Sequence, residues 1–322
     1  MKKNLGRGSL LKSDGKTLCE VGYGEKFSKS YSVKDIRGKG LDKFRNNFNI
    51  IYYESGICVS LTVKRRRFLG ESKILVYDFV NREFREKRIV EFLATKKYSL
   101  NKNGQLHIKN REISIDFADG KRKSLKYKSF GEDKIKFIGD ITNNLHCSIV
   151  VANQFKDGFD YSSNSLGYSF RGACTYGDYK TTLHGGDEIL VAYNACLATT
   201  KATKNANKIF GVGKCGEKDV LMILDTLSVE NCANSSVVVY DGYKYKLGGM
   251  SAIIKSDEGY KFIGSDGSFF IKFEPHITHF KDLTNNKGIE FGKISGVITL
   301  TNGERIELEN IRGLIAYNGR VM

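Results

Sequence analysis

Lys293-Ile294-Ser295-Gly296-Val297-Ile298-Thr299-Leu300-Thr301-Asn302-Gly303-Glu304-Arg305-Ile306-Glu307-Leu308-Glu309 is the stretch whose pattern decides the class of fold. Ile306 and Leu308 alternate with Arg305, Glu307 and Glu309, the period of two that sends successive side chains to opposite faces of a strand. Thr301-Asn302-Gly303 interrupts the pattern, and Asn-Gly supplies the positive φ angles that a tight hairpin turn needs. Residues 293–300 and 304–311 therefore read as an antiparallel hairpin.

The same pattern recurs along the chain, and helical periodicity is scarce. Runs rich in β-branched and aromatic residues fall at 49–53, 57–63, 74–80, 88–93, 105–108, 112–117, 124–130, 134–141 and 146–152. A second series falls at 168–176, 179–183, 188–197, 220–227, 237–240, 243–247, 251–255, 260–264, 269–273, 292–301 and 305–309. Gly, Asn and Asp clusters such as Lys102-Asn103-Gly104 and Ser265-Asp266-Gly267 separate them. Short strands spaced by roughly 8–12 residues predict an all-β antiparallel sandwich or barrel. The single proline in 322 residues agrees, because proline lacks the N–H that an interior strand donates.

Composition bounds the function. The chain is 40% hydrophobic and 27% charged, enough apolar material for real cores and too much for a disordered protein. No uninterrupted apolar run reaches the roughly 20 residues that span a bilayer as a helix. Met1-Lys2-Lys3 is not followed by the apolar stretch of a secretory leader, so a cytoplasmic protein is expected. Seven scattered cysteines without a Cys-x-x-Cys pair read as reduced thiols, neither a disulfide scaffold nor a zinc site. Residues 1–150 carry 33 of the 52 Lys and Arg but only 17 of the 36 Asp and Glu, so the whole formal charge of +16 resides there. This asymmetry suggests an N-terminal arm at 1–42, a basic β-domain at 43–160 and a second β-domain at 161–322, with a polar, turn-prone boundary at 157–166.

Several short motifs resemble one family. Phe291-Gly292-Lys293-Ile294-Ser295-Gly296, the Asn-Gly turn and the later Gly313 are similar to the C-terminal end of the bacterial domain-of-unknown-function 2804 family. Tyr240-Asp241-Gly242-Tyr243-Lys244-Tyr245-Lys246-Leu247, Ser265-Asp266-Gly267 and Phe273-Glu274-Pro275 add to the resemblance, as do Leu11-Lys12-Ser13-Asp14-Gly15 and Val59-Ser60-Leu61-Thr62 near the start. The family is itself similar to the carotenoid-hydratase and AttH group, which implies two tandem lipocalin-like barrels. One segment departs from the pattern: where the family has Asp-Trp-Gly-Arg-Gly followed by tryptophans, this chain reads Ile189-Leu190-Val191-Ala192-Tyr193-Asn194-Ala195 and has no Trp.

Other candidate motifs carry little chemistry. Gly211-x-Gly213-x-x-Gly216 matches a dinucleotide fingerprint by letter but precedes a strand-like run, so a glycine turn is the better reading. His276-x-x-His279 aligns two imidazoles only on a helix, and no metal or other cofactor is expected. Lys64-Arg65-Arg66-Arg67 and the spaced Lys126, Lys128, Lys134 and Lys136 read first as a solvated sheet face, with polyanion binding as an alternative. The function expected is binding of an apolar or amphiphilic small molecule in a barrel or interdomain cavity, with Arg171, Tyr179, Tyr193, Asn194 and His276 as lining or orienting groups. The enzymatic alternative is a hydratase, isomerase or cyclase using an acid inside an apolar cavity, as the resemblance implies.

Overall fold

The computed structural model describes residues 5–25, 29–31, 36–37, 44–54, 56–66, 68–92, 98, 106–109, 113–119, 122–129, 135–142, 145–155, 158–167, 171–176, 179–184, 190–199, 207–226, 234, 236–282 and 287–318. Among these there are 25 strands and no helix. The chain forms two compact units: 1–31, 146–166 and 199–322 make the first, and 32–145 with 167–198 make the second.

Strands β1 (Gly8–Ser9), β2 (Gly22–Gly24) and β3 (Lys29–Ser30) are short and belong to the first unit. The described residues of the N-terminal segment are packed against the first unit. Leu10, Leu11 and Leu18 are buried, Leu18 N donates to Gln154 Oε1 at 2.7 Å, and Lys29 forms a 2.6 Å ion pair with Glu20.

In the second unit, β4 (Phe44–Glu54), β5 (Ile57–Arg66), β6 (Leu69–Asp78) and β7 (Glu83–Phe92) form an antiparallel meander. The centres of β5 and β6 are buried on both faces, from Cys58 to Val63 and from Ile74 to Asp78 with few exceptions, which is why they read as near-continuous apolar runs. β7 is the edge strand, and its sequence Glu-Phe-Arg-Glu-Lys-Arg-Ile-Val-Glu-Phe carries the charges that discourage pairing with another chain. Strands β8 (Leu106–Lys109), β9 (Ile113–Asp119), β10 (Arg122–Ser129) and β11 (Ile135–Thr142) form a second antiparallel meander.

β12 (Leu145–Phe155) and β13 (Gly158–Gly167) return to the first unit as neighbours, with β2 on the outer side of β12. The polar run expected as a boundary is thus a strand. Phe159, Tyr161 and Leu166 are buried along it, and buried Asn164 accepts a 3.0 Å hydrogen bond from Lys208 Nζ. β14 (Arg171–Tyr176) and β15 (Tyr179–His184) extend the second meander beyond β11, and β16 (Leu190–Thr199) lies beside β4.

The rest of the first unit is one sheet of nine strands. They are β17 (Lys208–Cys215), β18 (Lys218–Asp225), β19 (Val237–Tyr240), β20 (Tyr243–Lys246), β21 (Met250–Ser256), β22 (Gly259–Gly264), β23 (Phe269–Asp282), β24 (Lys287–Thr299) and β25 (Arg305–Asn318). Their spatial order is β20-β19-β18-β17-β25-β24-β23-β22-β21. The hairpin expected at 293–311 is present, with Thr299 opposite Arg305 and Gly303 at φ 87° in the turn.

The two edge strands, β20 and β21, are consecutive in the chain and joined by residues 247–249 alone. Laid flat, nine strands at about 4.8 Å spacing would hold the edges about 38 Å apart. Four Cα steps reach about 14 Å at most. The sheet therefore has to roll up, and an isolated parallel bridge from Thr226 to Met250 ties the end of β18 to the start of β21. Inside the roll lies an apolar cluster including Met222, Leu224, Phe262, Phe273, Ile294, Ile311 and Ile315. The class observed is the expected one, an all-β, lipocalin-like barrel fold.

Sharp curvature is possible because four neighbouring strands give up bulk at one level. Gly211 pairs with Gly313, Gly313 with Gly292, and Gly292 with Pro275, where β23 is also bulged. The sole proline is thus placed at an irregularity where its missing N–H does no harm. A Cβ on Gly292 would collide with the Glu274 carbonyl oxygen, and one on Gly211 would come within 2.9 Å of Ile294 Cδ1. Gly292→Ala is expected to lower stability by about 1–3 kcal/mol, the typical cost of overpacking, read from the urea midpoint. An unchanged midpoint would contradict the close approach described here.

Candidate functional site

Among the described residues, the largely apolar interior of the nine-stranded roll contains a buried carboxyl. Glu290 is 1% exposed, and Tyr260, 7% exposed, donates its phenolic hydrogen to Glu290 Oε1 at 2.8 Å. Strand register explains both positions. Glu290, Gly292 and Ile294 alternate onto the same face of β24, and Ile294 belongs to the apolar cluster. Glu290 lies opposite Ile315 on β25 and Thr278 on β23; Ile209 and Leu224 continue its row.

Tyr260 belongs to another row, with Phe273 and Ile294, four residues along β24 from Glu290. Between the two rows lies the Gly292–Pro275 pair, which leaves open the path that the phenol takes. The Phe262 and Phe273 rings flank Tyr260 with centroids 6.2 and 6.4 Å away. Lys255 Nζ stands 5.9 Å from the centre of the tyrosine ring. An acid and a phenol, hydrogen-bonded and set in hydrocarbon, can orient a polar group of a bound molecule or exchange a proton with it.

Sequence reasoning missed this pair. Beginning the strand at 292 leaves Glu290 outside it, although extending the alternation back from Ile294 would have turned the glutamate inward. Of the expected site residues, His276 lies half-buried in β23 at the irregularity between Pro275 and Ile277, one residue from the strand's pairing with Phe291. Arg171 opens β14 with Asp140 and His184 as its register neighbours, Tyr179 opens β15 opposite Tyr176, and Tyr193 and Asn194 lie on β16. The side chains of these four fall outside the described residues. Arg171 and Tyr179 are at opposite ends of one hairpin, whereas Tyr193 and Asn194 lie in the other sheet of the second unit.

The remaining motifs resolve into structure. Gly211 and Gly213 lie within β17, and only Gly216, at φ 62°, makes the turn into β18. A strand follows instead of a helix, so the phosphate-binding arrangement of the dinucleotide fingerprint is not formed. His276 and His279 share strand β23, and among the described residues no group of three His, Cys, Asp or Glu is placed to hold a metal. Lys126 and Lys128 are exposed on one face of β10 while Ile108 and Ile115 are buried beneath its neighbours. Asp116 interrupts that basic face, paired with His107 on β8 and opposite Lys126 on β10. This is the solvated face that spacing two predicted. No helix among the described residues is long and apolar enough to cross a membrane.

Comparison with known proteins places these features in context. The profile of the family described as Domain of unknown function (DUF2804) matches residues 2–316. No curated protein matches the chain. Among solved structures, kievitone hydratase from Nectria haematococca superposes with a TM-score of 0.55 at 10% identity, over 90% of this chain and 93% of that one. CghA with Sch210972 gives a TM-score of 0.50 at 8% identity, over 86% and 88% of the two chains. These likenesses establish a shared fold.

Tyr260→Phe removes a hydrogen bond donated to a buried carboxyl. Chemical denaturation is expected to show a loss of about 1–3 kcal/mol. Stability equal to that of the unsubstituted chain would mean that the hydrogen bond contributes nothing.

Proposed function

The chain belongs to the domain-of-unknown-function 2804 family, and from that membership we propose that it binds an apolar or amphiphilic small molecule inside a β-barrel. The observation that carries the reading is the Glu290–Tyr260 pair within the apolar lining of the first unit. A carboxyl oriented by a phenol within an apolar lining is the kind of sparse polar group that fixes the orientation of a guest in a ligand pocket. In this reading His276 lies on the same strand as Thr278, the register neighbour of Glu290, and serves as a further orienting group. Arg171, Tyr179, Tyr193 and Asn194 line the second unit. Cys19, Cys58 and Cys215 are free thiols, which supports a cytoplasmic setting.

The same pair favours a second reading, acid catalysis of a hydratase, isomerase or cyclase type. One neighbour in fold is a hydratase by name. The Tyr260 hydroxyl donates to Glu290 Oε1 and so orients the carboxyl, the group this reading uses as the acid. In this reading the Glu290 carboxyl protonates a carbon–carbon double bond. The cation is then captured by a water that gives up its proton to the Glu290 carboxylate (hydratase), or loses a neighbouring proton to that carboxylate (isomerase or cyclase), which restores the acid. The family's Asp-Trp-Gly-Arg-Gly segment is absent, so in this chain the acid is assigned to Glu290 instead.

Native mass spectrometry of the purified chain is expected to show a retained apolar adduct that organic denaturation releases. Incubation in deuterated water is expected to place deuterium on carbon of that adduct, and Glu290→Gln should slow this by at least about 100-fold while the adduct stays bound. A chain that carries no adduct would remove the binding reading. A bound adduct that gains no deuterium would remove the catalytic one alone.

A further inference from the structure

The second unit holds another polar arrangement, on the face of β5 and β6 that bears Val59, Leu61 and Val63. Val63 pairs in register with Ser72, and Ser72 with Ile89; Arg65 pairs with Gly70, and Gly70 with Glu91. Register partners share a face, so Arg65 and Ser72 are diagonal neighbours beside Val63, Ile74 and Ile89, which are buried, on a face that also carries Lys87 opposite Ile74 and Glu91 opposite Gly70. Ser72 is 2% exposed, and its hydroxyl has no hydrogen-bond partner. Arg65 Nε is likewise shielded from solvent without a partner. Burial also pulls the arginine's pKa down from its usual value.

Glu91, in the same row as Arg65, does not neutralise it. Gly70 stands between them without a side chain, and the buried ring of Tyr98 fills the space above it. A Cβ at Gly70 would fall within 2.6 Å of Tyr98 Cε2. Two donors, the Nε edge of a guanidinium and a hydroxyl, are therefore turned onto one face beside Glu91 and Tyr98, and neither donates a hydrogen bond to a described residue; the aromatic ring walls one side.

We propose that Arg65 and Ser72 hold the carboxylate of an apolar carboxylic acid, with Tyr98 and the Val63–Ile89 surface against its hydrocarbon part. A carboxylate has two oxygens for the two donors. Inorganic phosphate lacks the hydrocarbon part that Tyr98 and the Val63–Ile89 surface would hold. The inference rests on the small-molecule reading above for the class of ligand and adds its headgroup and a place for it.

Calorimetric titration of the full chain at pH 8 with dodecanoate, dodecanol and inorganic phosphate tests it. Dodecanoate is expected to bind at least tenfold tighter than dodecanol, and phosphate is expected not to displace it. Arg65→Gln should cost dodecanoate at least tenfold and leave dodecanol unchanged, and Ser72→Ala should cost dodecanoate severalfold. Without ligand, the melting temperature of Arg65→Gln should equal or exceed that of the unsubstituted chain, because the half-buried Arg65 has its Nε shielded without a partner. Equal binding of acid and alcohol, displacement by phosphate, or dodecanoate affinity unmoved by both substitutions would overturn the headgroup assignment and leave the small-molecule reading standing. Failure of dodecanoate and dodecanol alike to bind would overturn both. A lowered melting temperature for Arg65→Gln would mark the arginine as a structural group and also overturn the assignment.

Discussion

Everything in the first unit follows from the shortness of residues 247–249, which join the two outermost strands of a nine-stranded sheet. Backbone groups on a free edge seek partners, and a connector of this reach leaves them nowhere to go but toward each other. Rolling brings both edges toward each other and creates an inside. The inside is then filled from alternate positions of every strand, which is why Met222, Phe273, Ile294 and Ile311 meet although they are distant in sequence.

Rolling has a steric consequence that the glycine row absorbs. Where Gly211, Gly313 and Gly292 line up, the strands bend without side chains in the way, and Ile294 folds its tip over the gap. The same gap lets Tyr260 reach Glu290 from another register row. Curvature and the polar pair are thus two results of one local feature.

Much of this was legible in the sequence. The Asn-Gly hairpin, the spacing-two lysines of β10 and most strand positions follow from alternation and turn chemistry, which are local. What was not legible depends on partners far along the chain. Residues 157–166 look like a linker because they are small and polar, yet Asn164 is buried and satisfied by Lys208, over forty residues away. Gly211 and Gly213 read as a turn because nothing nearby reveals that Gly313 and Ile311 lie against them. Arg65 looked like one member of a surface-charge run, and only the pairing of β5 with β6 shows that it shares a face with Val63 and Ser72.

The chain enters the first unit three times, through 1–31, 146–166 and 199–322. During synthesis, the earliest residues of that unit emerge from the ribosome long before β25, which lies between β17 and β24 and holds the roll together. Until β25 (Arg305–Asn318) is made, the sides of β17 and β24 that it pairs with stay open. A stop codon between β24 and β25 would leave those borders bare, an unclosed sheet prone to stick to other chains rather than a smaller copy of the unit.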